Sequence, residues 1–331
     1  MMSKKQWSKS FFITIGCIFW TFTLSFAQEP QKQSNGIYQF VDKSGRTIKK
    51  LGKWKQASSF RMYGGHYAVV KDDEGNKYYL TKSGKAYKLA RGLQRLTKDK
   101  EAVIFTPHFL NQTGYRKLFL HPQLKIIIID RSICQTERNE VQALMAEITI
   151  FKQLEVLDVR LGDLKAIPKE IGQLTQLKYL RLENQCLERI PSEIAQLKNL
   201  QVLELSDNQI QYLPSAIGQL TQLQELNLSR NSLVRISASI GRLRKLQKLN
   251  LYCNRVSFKQ YTSERAALRY WKLRNKPSSL KILPKTILQL SSLKSLNLSE
   301  NKGLKMNNIR SQLRLKLPHC IIHLPHSRNR F

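Results

Sequence analysis

The sequence of 331 residues has few acidic side chains and lacks the motifs of familiar enzyme classes. It carries 23 Asp and Glu residues against 56 Lys and Arg residues, which gives a formal net charge of +33. A charge of this size attracts anionic surfaces and polymers at low salt, and it does not bear on the fold. The sequence contains no nucleophile elbow, no phosphate-binding glycine loop, no HExxH and no CxxC. We therefore predict no enzyme, no catalytic residue, no cofactor and no small-molecule substrate.

Cysteine is also scarce, and this density is too low for a scaffold held by disulfides. One of the five cysteines, Cys17, lies in an apolar stretch near the amino terminus. The others are Cys134, Cys186, Cys253 and Cys320. Because of their places in the repeat described below, we expect these four to be free, buried thiols.

One group near the carboxyl end has the spacing of metal ligands. It consists of His319, Cys320, His323 and His326. Cys320 falls at an inward position of the repeat, and Pro318 and Pro325 bracket a short strand. We therefore predict no metal site.

Only one long apolar run occurs, from Phe11 to Phe26. Lysines precede it, and Ser25-Phe26-Ala27 closes it with small residues at the positions that a signal peptidase reads. We predict a signal peptide over residues 1–27 and an exported product that is periplasmic, at the cell surface or secreted. An uncleaved signal anchor is the alternative, although the run is short for a bilayer span. Since no second apolar run exists, we predict no transmembrane helix after cleavage.

From Leu154 onward, apolar residues return with a step of 23 residues, at positions 1, 4, 6 and 11 of each turn. The first regular turns begin at Leu154, Leu177, Leu200, Leu223 and Leu246. A hydrophobe-Pro-x-x-Ile-x-x-Leu string fills the second half of several turns, beginning at Ile167, Ile190, Leu213 and Leu283. Position 9 is asparagine in four turns, as Asn208, Asn231, Asn254 and Asn301. Self-similarity at a fixed step indicates a stack of structural repeats.

These residues resemble the leucine-rich-repeat family, in its short 23-residue bacterial and intracellular-type form. The resemblance implies an α/β fold: a solenoid with a curved parallel β-sheet on the concave face and short helical or extended segments on the convex face. The inward leucines of one turn can leave water only by packing against the turns above and below. A buried asparagine is costly unless it is hydrogen-bonded, so we expect position 9 to bond backbone groups and join neighbouring turns.

The pattern weakens between Val256 and Leu280. Taking Tyr270 as position 1 restores the frame with one inserted residue, which predicts a further turn with Lys272, Arg274 and Lys276 on its strand. Residues 263–270 would then form a helix on the convex side.

The two ends of the solenoid are also irregular. On the amino side, Leu124, Ile127 and Ile129 fit positions 1, 4 and 6 of a first turn, followed by a helix over residues 140–148. On the carboxyl side, the sequence predicts a closing strand. Its residues at positions 1, 4 and 6 would be Leu317, Cys320 and Ile322.

The segment before the solenoid has a different composition, rich in Tyr, Lys and Gly. Residues 36–45 are echoed by residues 75–84, each an alternating stretch closed by Lys-Ser-Gly, which predicts a small antiparallel β module of hairpins. The module resembles WG-type β repeats, although Trp54 is followed by Lys55 and not by glycine. The alternative is a miscellaneous β cap for the solenoid.

We thus predict six segments. They are a signal peptide (1–27), a linker (28–35), the small β module (36–104), an N-terminal cap with a first irregular repeat (105–153), the leucine-rich repeats (154–316), and a C-terminal cap strand and tail (317–331).

Strand positions 3, 5 and 7 of successive turns should align in columns on the concave face, where they face solvent. We predict that this surface binds a protein partner, because exposed Tyr and Arg among mixed charges are typical of binding hot spots. The candidate residues are Asp158, Arg160, Tyr179, Arg181, Glu183, Glu204, Glu225, Asn227, Lys248, Asn250 and Tyr252.

A basic stretch with aromatic residues suggests a different partner, an acidic polymer. Its candidate residues are Arg265, Arg269, Trp271, Lys272, Arg274 and Lys276. The leading hypothesis is a non-catalytic, monomeric, exported scaffold that binds a protein. The alternative is a basic cell-envelope or surface protein that binds acidic polysaccharide, lipid headgroups or nucleic acid.

Overall fold

A computed structural model shows that the chain forms two compact units. The first unit comprises Met1–Ala90 with Asp99–Ala102, and the second comprises Arg91–Lys98 with Val103–Phe331. The structure describes residues 29–42, 44, 46–58, 67–105, 116–129, 138–160, 164–254, 280–306 and 309–325. The predicted signal peptide lies outside these ranges. Over the described ranges, no helix is long and apolar enough to cross a bilayer.

The first unit is built from antiparallel strands, as predicted for the β module, but its first strand lies within the predicted linker (28–35), so that boundary is wrong. One sheet holds β1 (Glu29–Lys32), β2 (Tyr38–Val41) and β3 (Lys53–Trp54). The strands that follow are β4 (Gln56–Ala57), β5 (Tyr67–Lys71), β6 (Lys77–Thr81) and β7 (Ala86–Arg91), each paired with its neighbour in sequence. The closer resemblance to WG-type repeats stays a prediction.

The core of this unit is small, and one turn needs glycine. Phe40, Leu51 and Leu80 are fully buried in a shared apolar cluster. Gly84 has φ +94°, and a Cβ placed there would lie 2.1 Å from the Lys50 carbonyl oxygen. The glycine of the Lys-Ser-Gly sequence at this turn is therefore required for two reasons, the positive φ and the close approach of the Lys50 backbone.

Nine strands follow one another in sequence order through the second unit. The strands are β8 (Ala102–Phe105), β9 (Ile126–Ile129), β10 (Val156–Arg160), β11 (Tyr179–Glu183), β12 (Val202–Glu204), β13 (Glu225–Asn227), β14 (Lys248–Asn250), β15 (Ser295–Asn297) and β16 (Ile321–His323). From β9 to β16 every pair is parallel. This architecture is the predicted leucine-rich-repeat solenoid.

Helical segments connect the strands. The α-helices are α1 (Arg116–Phe119), α2 (Arg138–Ala146) and α3 (Arg310–Lys316). The 3-10 segments are Lys49–Leu51, Leu93–Arg95, Ile148–Ile150, Lys169–Gln173, Ser192–Gln196, Ser215–Gln219, Ala238–Arg242 and Lys285–Gln289. Proline precedes four of the last five segments with φ between −65° and −70°, which suits a residue that starts a helical turn without donating an N–H.

The inward positions form the core of the solenoid. Leu157, Leu180 and Leu203 at position 4 have no exposed surface, and the corresponding leucines of the next turns are equally buried. The strand register places these leucines directly beside one another. Each turn therefore buries its apolar side chains against its neighbours, which is the reason why the repeat requires a stack.

The asparagines of position 9 join the turns, as predicted. The Asn208 Oδ1 accepts hydrogen bonds from the backbone N–H groups of Gln185 (3.0 Å) and Leu187 (2.9 Å) in the preceding turn. Its Nδ2 donates to the carbonyl oxygens of Leu182 (2.8 Å) and Leu205 (3.1 Å). Asn231, Asn254 and Asn301 repeat this arrangement in later turns.

The predicted extra turn with Lys272, Arg274 and Lys276 on its strand is wrong, because β14 pairs directly with β15. Asn250 lies beside Asn297, and the Asn254 N–H donates to Asn301 Oδ1 across 47 residues instead of the usual 23. The sheet therefore has no strand between β14 and β15. Residues 255–279 lie outside the described ranges, and so do the helix predicted for residues 263–270 and the whole predicted polyanion site, Arg265, Arg269, Trp271, Lys272, Arg274 and Lys276.

The two ends of the sheet agree with the sequence to different degrees. Ile127 lies beside Leu157, as the frame predicts, and α2 occupies nearly the expected range. At the other end, Ile322 and not Cys320 lies beside Leu296, so the predicted frame of the last strand is wrong by two residues. The reason is α3, which replaces the shorter 3-10 segment of the regular turns and consumes more residues.

Three cysteines fall in the described ranges, namely Cys186, Cys253 and Cys320. None of them forms a disulfide, as predicted, but all are only half-buried. Burial raises the pKa of the Cys320 thiol to about 11. The described residues contain no group of three or more side chains that could hold a metal ion.

Candidate functional site on the concave face

The concave columns predicted from the repeat are present in the sheet. Asp158 lies beside Arg181, Arg181 beside Glu204, and Glu204 beside Asn227. The column continues through Asn250, whose next neighbour is Asn297. Because neighbouring strands lie only about 4.8 Å apart, side chains from different turns of the chain meet on this face.

The amino-terminal part of the face is more buried than the sequence predicts. Asp158 has 0% and Tyr179 has 7% of its surface exposed, so the prediction that these side chains face solvent is wrong. The Asp158 carboxylate accepts two hydrogen bonds from Arg160, from Nε at 3.0 Å and from Nη2 at 2.7 Å. The short aspartate is covered because longer side chains on its own strand and the next one surround it. Asp158 and Arg160 therefore stabilise the face through this buried ion pair.

Glu204 occupies the centre of a cluster of charges. Arg181 lies beside Glu204 on the neighbouring strand β11 and forms an ion pair with Glu183. Its guanidinium therefore acts on the carboxylates of both Glu183 and Glu204. Burial raises the pKa of Glu204 to about 7; Arg181 opposes this shift and Glu183 adds to it. Burial alone would lower the pKa of Arg181, but Tyr179 and the surrounding carboxylates leave it raised. Burial likewise raises the pKa of Tyr179.

We predict that Glu204 makes the solenoid less stable as the pH rises through the range from about 4.5 to about 7. In this window the folded protein keeps the proton on Glu204 and the unfolded chain releases it, so the free energy of unfolding falls as the pH rises. Glu204→Gln removes this dependence and should raise the free energy of unfolding above pH 7 by about 3 kcal/mol.

Denaturant unfolding of the wild type and of Glu204→Gln at several pH values measures the effect. Glu188→Gln, which removes an exposed carboxylate elsewhere in the solenoid, is the matched control. Parallel stability curves for the wild type and Glu204→Gln would contradict the prediction.

A second cluster lies one position beyond the predicted columns. The Arg230 guanidinium forms an ion pair with Asp207 at 3.3 Å and lies over the ring of Tyr252 at 6.0 Å. These residues come from three adjacent turns, and the side chains of Arg230 and Asp207 are 32% and 30% exposed. Burial raises the pKa of Asp207, and Arg230 opposes this shift.

Sequence reasoning missed Asp207 and Arg230 because it considered only alternate strand positions. Position 8 adopts the left-handed conformation in five turns, with φ between 53° and 60°. The residues are Asn184, Asp207, Arg230, Cys253 and Glu300. A left-handed residue just after the strand departs from the period-2 alternation, and among these five residues only Asn184 and Asp207 are of the types that favour this conformation.

The remaining candidates lie on the later strands. Lys248 forms an ion pair with Glu225 at 2.8 Å, and both side chains are about one-third exposed, at 33% and 28%. The Asn227 Oδ1 accepts from the Ser229 N–H at 3.0 Å, and the Asn250 Oδ1 accepts from the Tyr252 N–H at 3.1 Å. These amides therefore help to fix the chain where it leaves the strand.

The charge of this face differs from that of the whole chain. Its acidic residues in the described turns are Asp158, Glu183, Glu204, Asp207, Glu225 and Glu300, and its basic residues are Arg160, Arg181, Arg230 and Lys248. The chain as a whole has more than twice as many basic as acidic residues. The concave face therefore lacks the positive excess that a polyanion would need.

Comparisons with known proteins agree with this fold. Residues 131–265 match the family model of a leucine-rich repeat region, so these turns are leucine-rich repeats, as the sequence predicted. The ectodomain of the membrane receptor kinase GASSHO1/SCHENGEN3 from Arabidopsis thaliana, solved in complex with Casparian strip integrity factor 2, is 30% identical over 55% of this chain and 22% of that chain, with a TM-score of 0.39.

Two bacterial structures are also similar to the chain. A leucine-rich-repeat protein from Leptospira interrogans is 20% identical over 69% of this chain and 90% of that chain, with a TM-score of 0.24. An internalin from Listeria monocytogenes is 17% identical over 70% of this chain and 62% of that chain, with a TM-score of 0.40. No curated protein matches the sequence.

Proposed function

We propose that this chain is a non-catalytic scaffold that binds a protein partner through its concave face, outside the cytoplasm. The observation that carries the proposal is the cluster of Asp207, Arg230 and Tyr252, which three turns hold together in a partly exposed position. Tyr and Arg are enriched among the residues that dominate protein interfaces. Backbone hydrogen bonds between the turns also hold Asp207, Arg230 and Tyr252 in place before binding, which reduces the conformational entropy lost on association.

Two further observations support this proposal. The concave face carries nearly balanced charges, which suits the mixed surface of a protein partner better than a uniformly acidic polymer. The apolar run from Phe11 to Phe26 with its closing Ser25-Phe26-Ala27 supports export. Solenoids commonly use their extended concave surfaces for binding.

The experiment uses the mature chain to capture and identify its partner from the cell envelope, and then titrates that partner against variants. Tyr252→Ala is expected to weaken binding by about thirtyfold, the effect of losing one hot-spot side chain. Leu315→Ala is the control, since Leu315 is 78% exposed but belongs to α3 and to neither the strands nor their connections. Equal affinities of the wild type and Tyr252→Ala would contradict the proposal.

A further inference from the structure

A second exposed surface follows the connection between each strand and its 3-10 segment. It consists of positions 12 and 13 of five successive turns, and we name it the edge stripe. The edge stripe comprises residues 165–166, 188–189, 211–212, 234–235 and 281–282, all of which are exposed.

Backbone pairing aligns neighbouring turns within the edge stripe. Ala166 pairs with Arg189 and Tyr212 with Arg235 in parallel β-bridges. The N–H of Val234 donates to the carbonyl oxygen of Gln211 at 2.9 Å, which supports the second of these pairings. With about 4.8 Å between neighbouring turns, the stripe is about 20 Å long.

Apolar and basic side chains share the stripe. Three of the exposed large hydrophobic residues of the described chain lie in it, namely Tyr212 (53%), Val234 (37%) and Ile282 (62%). Its basic residues are Lys165, Arg189, Arg235 and Lys281, and its acid is Glu188. The Arg235 guanidinium lies 5.9 Å from the centre of the Tyr212 ring. The stripe thus combines exposed apolar surface with a positive excess that the concave face lacks.

We propose that the edge stripe binds a linear acidic polysaccharide. Arg189 and Arg235 lie on either side of Tyr212 and two turns apart, a separation of about 10 Å between their backbones. A sugar ring packs its C–H face on the tyrosine ring, and carboxylates of the flanking sugars accept hydrogen bonds from the two guanidinium groups. Val234 and Ile282 extend the apolar surface along the same line.

Charge density favours a polysaccharide over duplex nucleic acid. The stripe carries four basic residues and one acid over about 20 Å, whereas duplex DNA presents one negative charge for about every 1.7 Å of its axis. The outside of a duplex is also lined by phosphates, which offer no partner for Tyr212, Val234 and Ile282. An acidic polysaccharide alternates sparse carboxylates with apolar ring faces, and this alternation matches the stripe.

The edge stripe differs from the acidic-polymer site predicted from the sequence. That prediction rested on residues 255–279, which the stripe does not include. Every residue assigned to the stripe lies in the described part of the chain. The surroundings of each residue are therefore known before it is substituted.

The test is the binding of sodium hyaluronate, which carries one carboxylate per disaccharide, to the full mature chain at about 0.15 M salt. Tyr212→Ala, which leaves the charge unchanged, and the double variant Arg189→Gln with Arg235→Gln should each weaken binding by about tenfold or more. The control is Lys169→Gln with Arg242→Gln, which removes the same charge from exposed positions outside the stripe and should change the affinity by less than about twofold.

Several results would overturn the proposal. One is no detectable binding of hyaluronate by the wild type, and another is an equal loss in the control and in the stripe variants. Tighter binding of duplex DNA or of phosphatidylserine vesicles than of hyaluronate would assign the stripe to a different partner. Binding that is lost in Lys272→Gln with Arg274→Gln but kept in the stripe variants would return the site to the basic stretch. Circular dichroism establishes that each variant is folded.

Discussion

Replacing Asn208 by alanine is expected to lower the free energy of unfolding by about 3 kcal/mol or more. Asn208 is 6% exposed and bonds backbone groups in two turns of the solenoid. The substitution leaves the N–H groups of Gln185 and Leu187 buried without their acceptor, and it also removes the donor to the Leu182 carbonyl oxygen. Denaturant unfolding followed by circular dichroism measures the loss.

The control for this prediction is Asn199→Ala. Asn199 also reaches into the preceding turn, where its Nδ2 donates to the Thr175 carbonyl oxygen at 2.9 Å, but the bond is exposed to solvent. Water replaces an exposed hydrogen bond at little cost, so we expect a loss below about 1 kcal/mol. Similar losses for the two variants would show that the buried asparagines do not hold the turns together.

Arg160→Ala is expected to destabilise the solenoid by about 3–5 kcal/mol at neutral pH. The Asp158 side chain is 1% exposed, and the guanidinium of Arg160 makes two hydrogen bonds to its carboxylate. Without Arg160 the buried aspartate carries its charge without this pairing, which is costly inside the fold.

Two further variants isolate the cause of this loss. Adding Asp158→Asn to Arg160→Ala removes the buried charge and should recover part of the stability at neutral pH. Lys178→Ala breaks the Lys178–Glu155 pair of 2.7 Å, in which the lysine is 45% exposed, and should cost less than about 1 kcal/mol. A loss of the same size in Lys178→Ala, or no recovery in the double variant, would be inconsistent with a buried ion pair.

The repeat frame predicts much of the fold because each turn follows the same local rule. Leu157, Leu180 and Leu203 occupy equivalent inward positions, and the asparagines of position 9 make the bonds that their burial requires. The frame fails where a connection changes length. The frame assigned Lys272, Arg274 and Lys276 to a strand, although β14 pairs directly with β15.

The candidate site could be predicted only in part. The columns of the concave face follow from the period, and the register confirms them from Asp158 to Asn250. The burial of Asp158 and Tyr179, and the contact between Arg230 and Tyr252, depend on residues one turn away. The repeat pattern of a single turn does not predict this burial or this contact. The lengths of the side chains in neighbouring turns decide how much of each residue remains exposed.

The sequence alone determined the inward leucines, the buried asparagines and the stacking of turns, because inside and outside alternate within each turn and the apolar surface must leave water. The tertiary structure decided which charges pair across turns, that burial raises the pKa of Glu204 to about 7, and that Tyr212 pairs with Arg235 in the edge stripe. These features arise from residues about one turn apart that meet only when the strands are in register, and their burial and electrostatics depend on that packing.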